Sequence, residues 1–138
     1  MLLSCHLAGY LLVFVSAQFE LRFEALIEVY AAKIADKNIR RFVIGRANLM
    51  TRAPDISSLT GMLAAFNPNW KDEFHKRCGA QAVQSYSSIM TNRHAFVHEA
   101  TCNVTIGDLE TFFNDSRDVF STLVAVLGLR AHEISHLR

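Results

Sequence analysis

The sequence predicts an all-α protein, an antiparallel bundle of five to six helices, on three observations. Apolar side chains recur at the helical repeat through most of the chain, residues that punctuate loops are scarce, and capping residues stand ahead of the periodic stretches. Of the 138 residues, 51% are hydrophobic and 20% charged, with two prolines and six glycines. That balance argues against disorder and against a turn-rich β-sandwich. A chain of this length is expected to build one core, with 1–130 as a single helical domain and 131–138 as a partly disordered C-terminal tail.

The first helix is expected over about His6 to Ala35, where Leu7, Leu11, Phe14, Val15, Phe19, Phe23, Leu26, Ile27, Tyr30 and Ile34 follow the helical repeat. Its outer face carries Glu20, Glu24 and Glu28 at i, i+4 spacing, a solvated stripe. Asp36 caps a second helix over Lys37 to Thr51, with Phe42, Val43, Ile44, Leu49 and Met50 as its apolar positions. Pro54 then breaks the chain, and Asp55, Ser57 or Ser58 caps a short helix ending near Phe66. After the turn Asn67-Pro68-Asn69, another short helix runs from Trp70 to Cys78 and stops at Gly79. A fifth covers Ala80 to His98, with Val83, Tyr86, Ile89, Met90, Phe96 and Val97 directed at the core. Thr105 and Asp108 stand as N-cap and third-position acid before the last long helix, in which Leu109, Phe112, Phe113, Val119, Phe120, Leu123, Val124 and Leu127 recur at 3.6 spacing.

A net charge of +1 gives no global basic field, so any contact with nucleic acid must use a local patch. Between Asp36 and Asp55 every charged residue is basic, Lys37, Arg40, Arg41, Arg46 and Arg52; the stretch could meet phosphates, but a solvated helix face balanced by acids elsewhere is the favoured expectation. Cys5, Cys78 and Cys102 are odd in number and widely spaced, which indicates neither a disulfide framework nor a cysteine zinc site and suits a reducing cytoplasm. The apolar run from Leu2 to Ala17 mimics a signal-peptide core, and two sequons begin at Asn103 and Asn114. No Lys or Arg precedes Arg22, however, and the helical pattern continues past the supposed cleavage point. His6, Gly9 and Ser16 also interrupt the run, so no membrane span is expected.

The densest chemistry lies in Asn92-Arg93-His94-Ala95-Phe96-Val97-His98-Glu99, at the end of a predicted helix. Cleaving a phosphodiester without a metal requires a group that moves protons near neutral pH and a cation that stabilises charge growing on the phosphate. Imidazole and guanidinium meet those two needs. Arg93 and His98 are candidates for these roles, with His94 beside them. An Arg and a His five positions apart are a weak signal alone, and on an ideal helix they point about 140° apart. Either the helix ends or kinks near Val97, or the site closes against a second copy of the chain.

The long first helix with its acidic spacing, the short central helices, the stretch from Ser88 to Glu99 and the Thr-capped final helix together resemble the HEPN superfamily, particularly its RiboL-PSP-HEPN-like branch. The likeness covers nearly the whole chain, though only Ser88 to Glu99 is residue-specific. Arg93, His94 and His98 match that family's Arg, polar residue and His. The commonest family form has Asn after the Arg and often Gly after the His, where this chain has His94 and Glu99. The resemblance implies a homodimeric, metal-independent endoribonuclease that needs no cofactor. Two copies of the motif would line one cleft, and the RNA 2′-hydroxyl would attack the adjacent phosphate. His98 would move a proton, Arg93 would hold the phosphate and His94 would orient or assist; Asn92, Arg40, Arg41 and Arg46 would contact substrate. Such domains are often toxins or defence effectors, sometimes paired with a nucleotidyltransferase-like antitoxin.

Three other readings compete. A catalytically silent HEPN module could serve as a dimerisation or nucleotide-binding scaffold. His132-Glu133-Ile134-Ser135-His136 satisfies the H-E-x-x-H zinc-protease pattern, but only two residues follow it, so no third ligand lies downstream. His94 and His98, at i, i+4 with Glu99 close by, would be a minor metal-binding alternative.

Overall fold

A computed structural model describes residues 2–137 and is helical throughout its regular structure. Six α-helices follow in order: α1 (Leu2–Ala31), α2 (Lys37–Met50), α3 (Ile56–Phe66), α4 (Trp70–Arg77), α5 (Ala80–Glu99) and α6 (Ile106–Val126), with a closing 3-10 turn at Ser135–Leu137. No strand occurs among the described residues. The predicted all-α bundle is therefore the observed one.

Local chemistry sets most of the boundaries. The Asp36 carboxylate accepts from the Asn38 and Ile39 N–H groups at 2.8 and 3.0 Å and starts α2. Asp55 does the same for α3 through the Ser58 N–H at 2.7 Å, which selects it from the three caps that the sequence leaves open. At α6 the box is reciprocal. Thr105 Oγ1 accepts from the Asp108 N–H at 3.0 Å, and Asp108 accepts from the Thr105 N–H at 2.9 Å. The Thr105 backbone bond, followed by its hydroxyl, holds the Asp108 carboxyl below its usual range. The first helix starts at Leu2, before the expected His6, and ends at Ala31, four residues before the expected Ala35. Past its end, Arg40 donates through Nε and Nη2 to the Ile34 carbonyl at 3.0 and 2.6 Å, taking up an acceptor that a longer helix would have used.

The core lies where α1, α5 and α6 meet. Leu12, Phe23, Leu26 and Ile27 of α1 pack with Tyr86 and Ile89 of α5 and with Val119 and Leu123 of α6, all buried. Phe19 stacks on Phe113 with ring centroids 6.1 Å apart, and Phe23 meets Phe120 at 6.4 Å. Near the start of α1 the Gly9 backbone lies directly against the Phe96 ring, so that a Cβ at position 9 would overlap it. Glycine is what lets α1 and α5 approach this closely.

Two expectations about burial are corrected. Leu7 and Phe14 face outward with Leu3, Tyr10 and Leu21, at 50% and 60% exposure for the first two. Phe42 and Leu49 of α2 and Val97 of α5 are exposed as well. The first helix is apolar on two opposite sides, and among the described residues only one of them is buried. The C-terminal segment, expected as a partly disordered tail beyond 130, instead folds back. Leu129 and Ile134 are buried in the common core, Leu137 packs against it, and Lys33 pairs with Glu133 at 3.1 Å. Arg138, the last residue of that segment, and Met1 lie outside the described residues.

The α5 helix closes with Ala100 in the left-handed region at φ 53°, its N–H bonded to the Phe96 carbonyl at 3.1 Å and the Thr101 N–H reaching the Ala95 carbonyl at 3.4 Å. A side chain is disfavoured in this conformation, where glycine is at ease. Ala100→Gly is expected to raise stability by about 0.5–1 kcal/mol, after allowing for the greater freedom of glycine in the unfolded chain. Chemical denaturation measures this directly; an unchanged midpoint would mean that the closure carries no strain.

Candidate functional site

The motif region occupies the last turns of α5. Seen down the helix, Tyr86, Ile89 and Arg93 form one stripe that faces the core, because steps of three and four residues return to nearly the same direction. Arg93 is the last member of that stripe and is half-buried. Its stem continues the apolar row, and its head emerges where the chain between α2 and α3 crosses α5. A cleft of about 300 Å³ opens there, lined by Ala53, Asp55, Met90, Thr91, Arg93 and His94.

The far wall of this cleft is built by a strained connection. Ala53 adopts φ 43°, in the left-handed region, and turns the chain into the buried Pro54, whose carbonyl accepts the hydroxyl of fully buried Tyr86. Asp55 follows, with one carboxylate oxygen committed to the Ser58 N–H. Among the described residues Arg93 has no ion-pair partner within 4 Å, and its Nε is buried without a hydrogen-bond acceptor. A guanidinium in that state carries charge and donors that a ligand could use.

His94 lines the same cleft, and its ring lies 4.4 Å from that of His98, one turn further along an exposed face. His98 itself is exposed and does not line the cleft. The helix runs unbroken through Glu99, and at helical spacing Arg93 and His98 diverge by about 140° within one chain. His94 is the bridge between them: it shares the cleft with Arg93 and the outer face with His98.

The remaining candidate substrate contacts are not gathered here. Asn92 turns back on its own helix and donates to the Ser88 carbonyl at 2.8 Å. Arg40 is held by Ile34, and Arg41 is exposed elsewhere on α2. Arg46 lines a separate groove between α2 and α3 with Phe42 and Met62. Ala53 and Asp55 form part of the Arg93 cleft although the sequence marks Asp55 only as a candidate cap and Ala53 not at all. Nothing local to 53–55 signals a neighbour near position 93; only the packing of Tyr86 on Pro54 brings the two segments together.

The H-E-x-x-H segment does not form the α-helix that would set His132 and His136 on one face. Residues 131–134 make a turn, the rest is 3-10, and Glu133 is bound to Lys33 and to the Arg130 N–H. Among the described residues no three His, Cys, Asp or Glu side chains are close enough to hold a metal ion, and no helix is long and apolar enough to cross a membrane.

The bare side of α1 adjoins the motif end of α5. Leu3, Leu7, Tyr10, Phe14 and Leu21, with Ala17 between the last two, repeat at alternating steps of four and three over roughly 27 Å. Tyr10 also packs edge-on to Phe96 at 5.6 Å, two residues from His98.

The architecture defines the class: an all-α helical bundle with a cleft at the end of its fifth helix that Arg93, His94 and Asp55 share. In comparisons with protein-family models, curated proteins and solved structures, the chain matches none.

Proposed function

We propose that the protein is a metal-independent endoribonuclease of HEPN type, acting in the cytoplasm as a toxin or defence effector. Its RNA-cleaving site would be completed between two copies of the chain. The observation that carries this reading is Arg93: a half-buried guanidinium without a carboxylate partner among the described residues, sharing a cleft with His94, whose ring adjoins that of His98. A cation without an ion-pair partner among the described residues, sharing its cleft with one imidazole, suits a substrate that supplies negative charge and a reaction that moves protons.

In this reading the RNA phosphate lies on Arg93 of one copy, and His98 of the other moves the proton between the 2′-hydroxyl and the leaving 5′-oxygen. The attacking 2′-oxygen forms a bond to phosphorus as the 5′-oxygen departs with a proton, leaving a 2′,3′-cyclic phosphate. The divergence of Arg93 and His98 in a single chain requires the second copy, and the apolar seam on α1 is suited to pair with itself across a two-fold axis. A nucleotidyltransferase-like antitoxin would be the natural regulator.

The same divergence favours a competing reading, a silent HEPN scaffold for dimerisation or nucleotide binding. Incubating the purified protein with single-stranded and structured RNA in excess chelator separates the two. The nuclease reading expects cleavage products ending in cyclic phosphate. Intact RNA at stoichiometric enzyme over hours would leave the scaffold.

A further inference from the structure

A larger cleft, about 530 Å³, lies on another part of the molecule, between α1, α6 and the folded-back C-terminal segment. Phe19 and Arg22 come from α1, and Arg117, Phe120, Ser121 and Val124 come from one face of α6. Ile134 and Leu137 close it from the C-terminal side.

Its chemistry is divided. The floor is aromatic and aliphatic, continuous with the stack of Phe19 on Phe113 and of Phe120 on Phe23. Two guanidiniums border it. Arg22 lies over the Phe120 ring, 5.8 Å from its centroid, and Arg117 stands one turn before Phe120 on the same helix. Among the described residues no acidic one lines the cleft, and neither arginine has an ion-pair partner within 4 Å. Two like charges facing one apolar hollow repel each other, and an anion placed between them relieves that repulsion while accepting several N–H bonds. The volume falls in the range of small-molecule sites, in which apolar walls hold the body of a ligand and a few charged groups fix its head.

The C-terminal segment makes this hollow. Glu133 anchors it through Lys33 at 3.1 Å and the Arg130 N–H at 2.6 Å, and that anchorage sets Ile134 and Leu137 against the floor. The Arg130 bond, followed by Lys33, holds the Glu133 carboxyl below its usual range. His132-Glu133-Ile134-Ser135-His136 is thus a latch and a wall.

We infer that this cleft binds an anionic amphiphile: a carboxylate or phosphate head held by Arg22 and Arg117, on an apolar body laid over Phe19, Phe120 and Val124. The inference is independent of the RNA-cleaving reading, since none of these residues borders the Arg93 cleft.

Isothermal titration of the full chain with decanoate, decyl phosphate, decanol and acetate tests it. At least one of the two ten-carbon anions is expected to bind saturably with one site per chain, and which of them binds more tightly identifies the head. Decanol and acetate, each lacking one half of the ligand, are expected to bind at least tenfold more weakly. Arg22→Gln and Arg117→Gln should each weaken the anion about tenfold, with unchanged circular dichroism because both side chains are exposed. Val124→Trp, which fills the floor, should abolish binding. Decanol binding as tightly as the anions, Gln variants indistinguishable from the parent, or no saturable binding of either anion would each overturn the assignment.

Discussion

His98→Ala and Arg93→Met are each expected to lower RNA cleavage by about 10²–10⁴-fold, the range associated with losing a general acid–base or a charge-stabilising group. The fold should survive both. His98 is exposed, and Met keeps the apolar stem that Arg93 lays against the core stripe of α5. A sharper consequence follows from the divergence of the two side chains. If each site takes its arginine from one copy and its histidine from the other, mixing the two inactive variants and allowing exchange restores activity. Random pairing makes half of the dimers mixed, and one of the two sites in each mixed dimer is intact, so about a quarter of parental activity returns. Mixtures that stay inactive after verified exchange would dismiss the shared site. Single variants that cleave RNA at the parental rate would dismiss Arg93 and His98 altogether.

The largest effect on stability is expected at Tyr86. It is fully buried, packs against Phe19 and Phe23 with centroids 5.4 and 6.2 Å away, and donates its hydroxyl to the Pro54 carbonyl. Burial, then the nearby Asp55 and Glu20 charges, push the phenol far above its usual range, which favours the neutral, donating form. Tyr86→Ala removes the ring and leaves a cavity, with an expected loss of about 3–5 kcal/mol, a large share of the stability of a domain this size. Tyr86→Phe keeps the ring and strands the buried carbonyl, for about 1–3 kcal/mol. Urea unfolding of both variants separates packing from the hydrogen bond. Equal midpoints for Tyr86→Phe and the parent would show that the bond adds nothing. Because Pro54 lies between Ala53 and Asp55, the Phe variant should also loosen the wall of the Arg93 cleft and lower cleavage more than the loss of stability alone explains.

How far the sequence carries can be judged from particular elements. Asp36 and Thr105 cap the helices they precede, and Asp55 is among three candidates for α3, because a cap is a contact between residues two or three apart and needs no distant partner. The repeat of Tyr86, Ile89 and Met90 likewise marks the buried side of α5. The same reasoning misassigns Leu7 and Phe14. A helix apolar on both sides gives no local sign of which side its own chain will cover. Arg93 and His98 are legible as chemistry, but their relative direction depends on whether α5 ends at Val97 or at Glu99, a difference of a single half-turn that propensity does not resolve.

The order and type of the helices, their caps and the concentration of cationic and titratable groups near position 93 were determined by the sequence itself, since each arises from neighbours within one or two helical turns. Tertiary structure decided the rest. Pro54 meets Tyr86 and so walls the Arg93 cleft, Glu133 reaches Lys33 and folds the C-terminal segment into a second cleft, and one side of α1 is left bare. Each of these joins residues thirty or more positions apart, or turns on which of two apolar faces finds a partner, and only the packed chain makes that choice.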